Sequence, residues 1–322
     1  MTSINGARVL LIGGAGFLGQ HVARACCLAK MKVRIADVVL QQVCEAEPDA
    51  EYLQGDYRDP AFLRRIVDGA DFVIHLAHDT ILLDPDHNMD IEFERNIRPA
   101  MRLMDACSAL AVTKLLFVSS GGTVYGNPAT YEPISENTRT NPISLYGTTK
   151  LMIEQIGFLH HKQNGLPFVV ARPANAYGPG QQPFRGQGFV ATAFASVLED
   201  RSLNIFGDGS VIRDYIHARD IADAFLALLQ YGVPGEVYNV GTACGVSLKS
   251  LLDEYISPIV GEDGFKLCCN YTPARNVDVV YNVVANDKLC RDAGFAARIS
   301  LSEGLRETWN WLKKLYGHVH AK

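Results

Sequence analysis

Several things are scarce in this 322-residue chain, and each scarcity closes off a class of function. The eight cysteines (Cys26, Cys27, Cys44, Cys107, Cys244, Cys268, Cys269 and Cys290) include no Cys-x-x-Cys pair, so zinc spacing is absent. They read as reduced thiols that fill apolar space. The pairs His160-His161 and His318-x-His320 suit a helix end and a solvated tail better than a metal. There is no long basic run, and 30 Lys and Arg against 35 Asp and Glu leave a net charge of −5, which argues against nucleic acid as a partner. No apolar stretch approaches the roughly 20 residues that cross a bilayer, which speaks against a membrane partner. Only six residues precede the first apolar strand, and they lack the core of a secretory signal, so a cytoplasmic location is expected. Internal repeats and low-complexity tracts are missing too. What remains is a chain long enough for one large domain or two smaller ones.

The informative stretch is Val9-Leu10-Leu11-Ile12-Gly13-Gly14-Ala15-Gly16-Phe17-Leu18-Gly19. A short apolar run reads as a strand buried on both faces. Glycines at a spacing of three follow, and then a helical pattern through Gln20, Val22, Ala23, Ala25 and Leu28. Strand, glycine turn and helix make a phosphate site: Gly13 takes the φ of a tight turn, Gly16 lets a diphosphate approach, and the helix start favours an anion. A second strand, 32–36, ends in Asp37, 18 residues after Gly19. A dinucleotide fold places an acid there on the adenosine ribose, and that acid repels a 2′-phosphate, which favours NAD over NADP.

Strands and helices alternate through the first 170 residues, as in a doubly wound parallel sheet covered on both faces. The pattern predicts a helix over 60–67, a strand over 72–76, and a long helix over about 90–109 kinked at Pro99. A strand over 114–119, a helix over 144–163 and a strand over 167–171 complete this half. Beyond Arg172 glycine and proline become denser, with helical patches at 188–199 and 220–229 and short strands at 203–206 and 236–240. The expectation is a Rossmann-type domain over 1–172 and a smaller α/β substrate lobe over 173–322, with some segments returning to the first domain.

The chemistry centres on Tyr146 and Lys150, four apart on one helical face. A phenol of pKa about 10 is a poor base at neutral pH. A neighbouring ammonium and a cationic nicotinamide both favour the phenolate, tuning it for proton abstraction. Upstream, Val118-Ser119-Ser120-Gly121-Gly122-Thr123-Val124-Tyr125-Gly126 leaves a strand end at the carboxyl edge of the sheet, where ligands bind.

Taken together, Gly13–Gly19, Asp37, Gly55-Asp56, Asn96, Ser119–Gly126 and Tyr146–Lys150 resemble the extended short-chain dehydrogenase/reductases. Arg172-Pro173-Ala174-Asn175-Ala176-Tyr177-Gly178-Pro179-Gly180, Phe206–Ser210, Arg213–His217, Pro273-Ala274-Arg275 with Asp278, and Gly304-Leu305 followed by Thr308, Trp309 and Trp311 resemble the nucleotide-sugar members. The similarity is to the UDP-glucose 4-epimerase branch. It implies that Gly13, Gly16, Phe17 and Leu18 touch the cofactor diphosphate, that Asp37 holds the ribose, and that Asp56 and Tyr57 hold the adenine. It also implies that Leu76, Ala77, His78 and Pro173 line the nicotinamide half, that Lys150 bonds the nicotinamide ribose, and that Asn175, Arg213 and Arg275 hold the sugar nucleotide. A homodimer is implied through the helices around 92–110 and 145–163, where Leu103, Leu151, Ile153 and Ile156 serve either the interface or the core.

One position departs from that pattern. Epimerases of this branch carry Ser or Thr where this chain has Gly121, so Thr123, or else Ser120, is expected to take the donor role. The Asp-Glu pair of the dehydratases is replaced by Gly122 and Thr123, which disfavours elimination of water. The implied reaction is NAD-dependent 4-epimerisation of a nucleotide sugar, a UDP-sugar first, through a transient 4-keto sugar. The sugar is a hexose, an N-acetylhexosamine or a uronic acid. An N-acetyl group would be gated near Asn282, and a C6 carboxylate would be met by Arg185 or Thr123. The alternatives are a decarboxylase or reductase of the same fold, or a non-catalytic NAD-binding regulator.

Overall fold

The structure, a computed structural model, describes residues 4–40, 47–79, 88–186, 188–274 and 279–320. The first half runs β1 (Arg8–Ile12), α1 (Phe17–Leu28), β2 (Lys32–Asp37), β3 (Glu51–Gln54), α2 (Pro60–Val67) and β4 (Phe72–His75). It continues through α3 (Met89–Glu92), a π-helical turn over Phe93–Ile97, α4 (Arg98–Ala109), β5 (Lys114–Val118), α5 (Leu145–Asn164) and β6 (Phe168–Pro173). Then come β7 (Asn175–Tyr177), α6 (Phe189–Leu198), β8 (Leu203–Phe206), β9 (Ile212–His217), α7 (Ala218–Tyr231) and β10 (Val237–Val240). The chain ends through β11 (Gly245–Ser247), α8 (Leu248–Ser250) with a second π-turn over Leu251–Ile256, α9 (Ser257–Glu262), β12 (Cys269–Thr272), β13 (Tyr281–Asn282), α10 (Asp287–Ala293) and α11 (Leu301–His320).

Seven strands form one parallel sheet in the order β10-β6-β5-β4-β1-β2-β3. Its strands alternate their apolar side chains between two cores, as a period of two requires. Val9, Leu11, Ile35 and Ile74 pack with Val22 of α1 and with Phe225 and Leu228 of α7. Leu10, Ile12, Val73 and Phe117 pack on the opposite face with Leu63 of α2, Leu103 of α4 and Ile153 of α5. Winding reverses between β1 and β4, and the crevice at their carboxyl ends is where such sheets take ligands. β10 comes from late in the chain yet pairs with β6, Val237 to Val170.

A third core gathers Phe194 of α6, Leu251, Leu252 and Val260 around α11, with Trp309 at its centre. Beside it β9 is the hub of a small sheet. It pairs with β11 and β13 through its first half and with β7 through its second, so Asn282 lies opposite Arg213 and Asn175 opposite Tyr215. No helix among the described residues is long and apolar enough to cross a membrane.

Most predicted elements fall within a residue or two of their observed bounds. The helix expected over 90–109 differs. Pro99 sits at the second position of α4, and the five residues before that helix form a π-turn, so the stretch is not a single regular α-helix there. Of the four residues named for an interface, Leu103 and Ile153 are buried within the core, while Leu151 and Ile156 pack partly buried against it. Phe93, Met101 and Leu159 are large apolar residues that those stretches leave in the open, 38%, 37% and 50% exposed.

Candidate active site

The glycine turn sits at the β1–β4 crevice. Gly13 has φ +79°, and a Cβ there would lie 2.7 Å from the Ala77 nitrogen, so only glycine allows this approach. Leu76 and Ala77 both donate from their backbone N–H to the Ile12 carbonyl, each at 2.9 Å, which fastens the end of β4 to the turn. The Asp37 carboxylate accepts from the Ala15 N–H at 3.0 Å and so stands over the same turn. Gly16 precedes α1, and no side chain caps that helix. Its first N–H groups therefore remain the natural donors for an anion beside Phe17 and Leu18. A tight turn, an open Gly16 and an acid beside it suit a dinucleotide diphosphate and its ribose.

Asp56 is engaged by Arg58, Nε to Oδ2 at 2.7 Å. Burial would raise its carboxyl, but the Arg58 hydrogen bonds outweigh burial and hold it below the usual range. Tyr57 turns its phenol toward His75, at 3.2 Å from Nε2, and packs against the sheet. Burial pushes that phenol well up and, with Lys150 nearby, pushes His75 down to about 3. Both are neutral.

Helix α5 carries both Tyr146 and Lys150. Ser144 caps it by accepting from the Gly147 N–H at 3.1 Å. Lys150, Ile153, Glu154 and Gly157 are buried on its sheet-facing side at helical spacing. The Tyr146 ring meets the His78 ring edge-on at 4.8 Å between centroids, which joins the end of β4 to α5. The Ser120 hydroxyl is the neighbouring group that favours the ionised form of the Tyr146 phenol. Lys150 donates through Nζ to the Val118 carbonyl at 2.8 Å and stands 5.6 Å from the Tyr146 ring centroid.

The electrostatics differ from the sequence expectation. In the protein alone, burial pushes Tyr146 up to about 12, and the Ser120 hydrogen bond is what opposes the rise. Burial also pulls Lys150 down to about 7, with Glu154 opposing it. The His78 imidazole is driven down by burial, then by Lys150 and His75, and is neutral. The lysine therefore does not by itself make the phenol acidic. Of the two hydroxyls expected to serve as donor, that of Thr123 is buried without a hydrogen-bond partner.

Beneath this site lies a polar network that sequence reading passed over. Glu154 accepts from Arg172, Nε to Oε1 at 3.0 Å and Nη2 to Oε2 at 2.5 Å, and from the Ser119 hydroxyl. Arg172 Nη1 donates to the Tyr125 hydroxyl at 2.8 Å, which donates to Asn239 Oδ1 at 2.8 Å. Burial disfavours the Arg172 charge, but Glu154 and Tyr125 more than compensate and keep it protonated. A carboxylate one turn after Lys150 among apolar neighbours was the available signal, because a buried charge must be paired. Asn96, presented by the π-turn, accepts from the Asp79 N–H at 2.8 Å and donates to Glu92 at 2.9 Å.

Of the remaining candidates, Asn175 and Asn282 lie beside Gly122. Pro173 closes β6 and accepts from the Gly121 N–H at 2.8 Å. Asn175 Nδ2 donates to the Asp214 carbonyl at 3.1 Å, and Asn282 Nδ2 to the Gly121 carbonyl at 2.7 Å. Arg213 donates through Nη1 to the Ile212 carbonyl at 2.9 Å. Arg275 and Asp278 lie outside the described residues, as does Cys44.

Residues 9–241 match the model of a family described as the NAD dependent epimerase/dehydratase family. The chain belongs to that family. A UDP-glucose 4-epimerase of Mycolicibacterium smegmatis is 29% identical over 94% of this chain and 97% of its own length. The human dTDP-D-glucose 4,6-dehydratase is 27% identical over 95% of this chain and 90% of its own length. The Thermus thermophilus UDP-glucose 4-epimerase, solved in complex with NAD, superposes with a TM-score of 0.82 at 27% identity, covering 95% of this chain and 99% of that one. NAD dependence, the Rossmann-type fold and the nucleotide-sugar setting are thus properties of this chain's family. Epimerases and dehydratases both occur among its relatives.

Proposed function

We propose that the protein is an NAD-dependent nucleotide-sugar 4-epimerase acting on a UDP-sugar. The observation that carries this reading is the Tyr146 ring set edge-on against His78, just past the end of β4 and beside the glycine turn, with Lys150 over the same ring. Gly13, Gly16, Phe17 and Leu18 would hold the diphosphate, Asp37 the ribose, and Asp56 and Tyr57 the adenine end. Leu76, Ala77, His78, Lys150 and Pro173 would line the nicotinamide half. Asn175, Arg213 and Arg275 would hold the sugar nucleotide, with arginine suited to bidentate diphosphate recognition.

NAD, when bound here, would supply reversible acceptance of the C4 hydride, so that the sugar passes through a 4-keto form. Tyr146 takes the proton of the 4-hydroxyl and later gives it back, so mass and redox state are unchanged. The Ser120 hydroxyl, which favours the ionised phenol, would steady the phenolate. Because burial alone keeps Tyr146 protonated, the positive charge that arrives with the oxidised cofactor is what makes it a base near neutral pH. Neutral His78 adds no competing cation beside the ring.

Gly122 and Thr123 in place of an acid pair speak against dehydration, and Asp37 speaks against a reductase that turns over NADPH. Met101 on α4 and Leu159 on α5 support self-association along those helices.

Incubating the purified protein with UDP-glucose, UDP-galactose and their N-acetyl counterparts tests the reading. The expected result is interconversion of a C4 pair with no change of mass, with the dinucleotide retained on the protein. Tyr146→Phe should lower kcat by about 10²- to 10⁴-fold without moving the melting temperature. A product lighter by water or carbon dioxide overturns the proposal, as does a fully active Tyr146→Phe.

A further inference from the structure

Asp214 on β9 is fully buried, 0% exposed. Its carboxylate accepts from the Thr242 hydroxyl at 2.6 Å, from the Thr242 N–H at 3.1 Å and from the Ala243 N–H at 3.3 Å. Every one of these donors is neutral. A buried charge is costly unless its lone pairs are well met, and here backbone and hydroxyl groups meet them in place of a cation. Burial raises this carboxyl to about 6, with the Thr242 bonds opposing the rise, so it is ionised at neutral pH.

The donors belong to the turn that leaves β10, the edge strand of the main sheet. The fit there is close: a Cβ on Gly241 would lie 2.4 Å from Asp214 Oδ2. Ala243 has φ +58°, a left-handed conformation that an alanine keeps only where its surroundings hold it. The main chain of Asp214 reaches the other way. Its carbonyl accepts from Asn175 Nδ2 at 3.1 Å. A carbonyl only accepts, so this bond fixes the direction of the amide and turns Oδ1 toward Gly122, where a Cβ would lie 3.8 Å from it. Arg213 is the preceding residue of the same strand. Substitutions of the Asp214 side chain leave the carbonyl in place, so what they remove is the anchor alone.

We propose that Asp214 is a positioning residue for the sugar nucleotide: its carboxylate anchors β9 to the turn after β10 and so sets Asn175 and Arg213 at a fixed distance from the main sheet that carries Tyr146. The inference rests on the proposed function and adds to it a residue that itself touches no substrate. A ligand held by β9 must react over the main sheet. With the anchor gone, the ligand has to order β9 as it binds, and that ordering is drawn from its affinity. Once it is bound the strand is in place again, so the loss falls on KM more than on kcat.

The test measures UDP affinity by calorimetry, and kcat and KM for the UDP-sugar turned over fastest, in wild type, Asp214→Asn, Thr242→Val and Thr242→Ser. An amide at 214 offers one acceptor where the carboxylate offers two, and sets an NH₂ against an N–H. Asp214→Asn should weaken UDP binding and raise KM by about ten- to hundredfold, with kcat within about threefold and the dinucleotide retained. Thr242→Val, which loses only the hydroxyl bond, should do the same by about three- to tenfold, and Thr242→Ser should restore wild-type affinity within about twofold. A folded Asp214→Asn whose UDP affinity stays within about twofold of wild type overturns the inference, as does a fall in kcat at unchanged KM. If Asp214→Asn does not fold, the threonine pair decides, and equal affinities of the Val and Ser variants overturn it. Wild-type protein that binds UDP yet turns over no UDP-sugar overturns the epimerase reading and leaves this inference to the UDP affinities. Wild-type protein that does not bind UDP overturns this inference.

Discussion

The floor beneath Tyr146 and the cleft in front of it are built from similar residues to opposite effect. In the floor, Glu154, Arg172, Ser119, Tyr125 and Asn239 bond one another without a gap. In the cleft, Thr123 Oγ1 and Asn282 Oδ1 are just as buried and have no partner. A closed network of buried polar groups fixes shape, while an open one calls for a ligand. A closed network and an open one thus lie side by side, across only the few residues from Ser119 to Thr123.

The strongest way to break this contrast is to open the floor. Glu154→Ala leaves Arg172 charged and unpaired and should cost about 3–5 kcal/mol in urea unfolding. Replacing the pair together, Glu154→Leu with Arg172→Met, should recover most of that loss. A single-mutant cost under about 1 kcal/mol would mean the network is not what sets the site.

A smaller effect sharpens the contrast at one peptide. Gly121→Ser drives a side chain into the Arg172 and Pro173 carbonyls and should cost about 1–3 kcal/mol. Gly122→Ser enters the cleft and should stay within about 0.5 kcal/mol of wild type while raising KM. Equal melting temperatures for the two variants would erase the distinction drawn between floor and cleft.

A last effect, graded with pH, belongs to Lys150, buried on α5. Burial lowers its pKa to about 7, below that of the unfolded chain, so between there and about pH 10 the unfolded state binds more protons. Stability should therefore rise with pH in that window. In cofactor-free protein, wild type should gain on Lys150→Met by up to about 1.4 kcal/mol per pH unit between pH 7 and 9. A flat difference across urea titrations at those pH values would show that the amine stays charged.

Much of the frame was legible from sequence because it is local. The run Val9–Ile12, the turn at Gly13 and the acid Asp37 announce themselves by period and spacing. The π-turn before Pro99 did not, since nothing in the period of Phe93–Ile97 marks a single extra residue in a turn. Ser120 and Thr123 were indistinguishable as hydroxyls in one loop, and only the path of the backbone decides which meets Tyr146. Asn282 lies 161 residues from Gly121, so no window along the chain could reveal their bond. Glu154 was within reach of sequence reasoning, four residues beyond Lys150, but its partner Arg172 belongs to the next strand.

The return of β10 to the first sheet ties the fate of one half of the chain to the other. Cut after Arg172, the front piece would lose Val237–Val240 and leave the edge of β6 bare. It would also lose the Leu228 and Leu229 carbonyls that receive the buried Lys114 ammonium at 3.1 and 2.7 Å. A ribosome that has released only that piece has made something sticky and unfinished. The nucleotide-binding half is no detachable module, and transplanting it into another protein would require carrying α7 and β10 along.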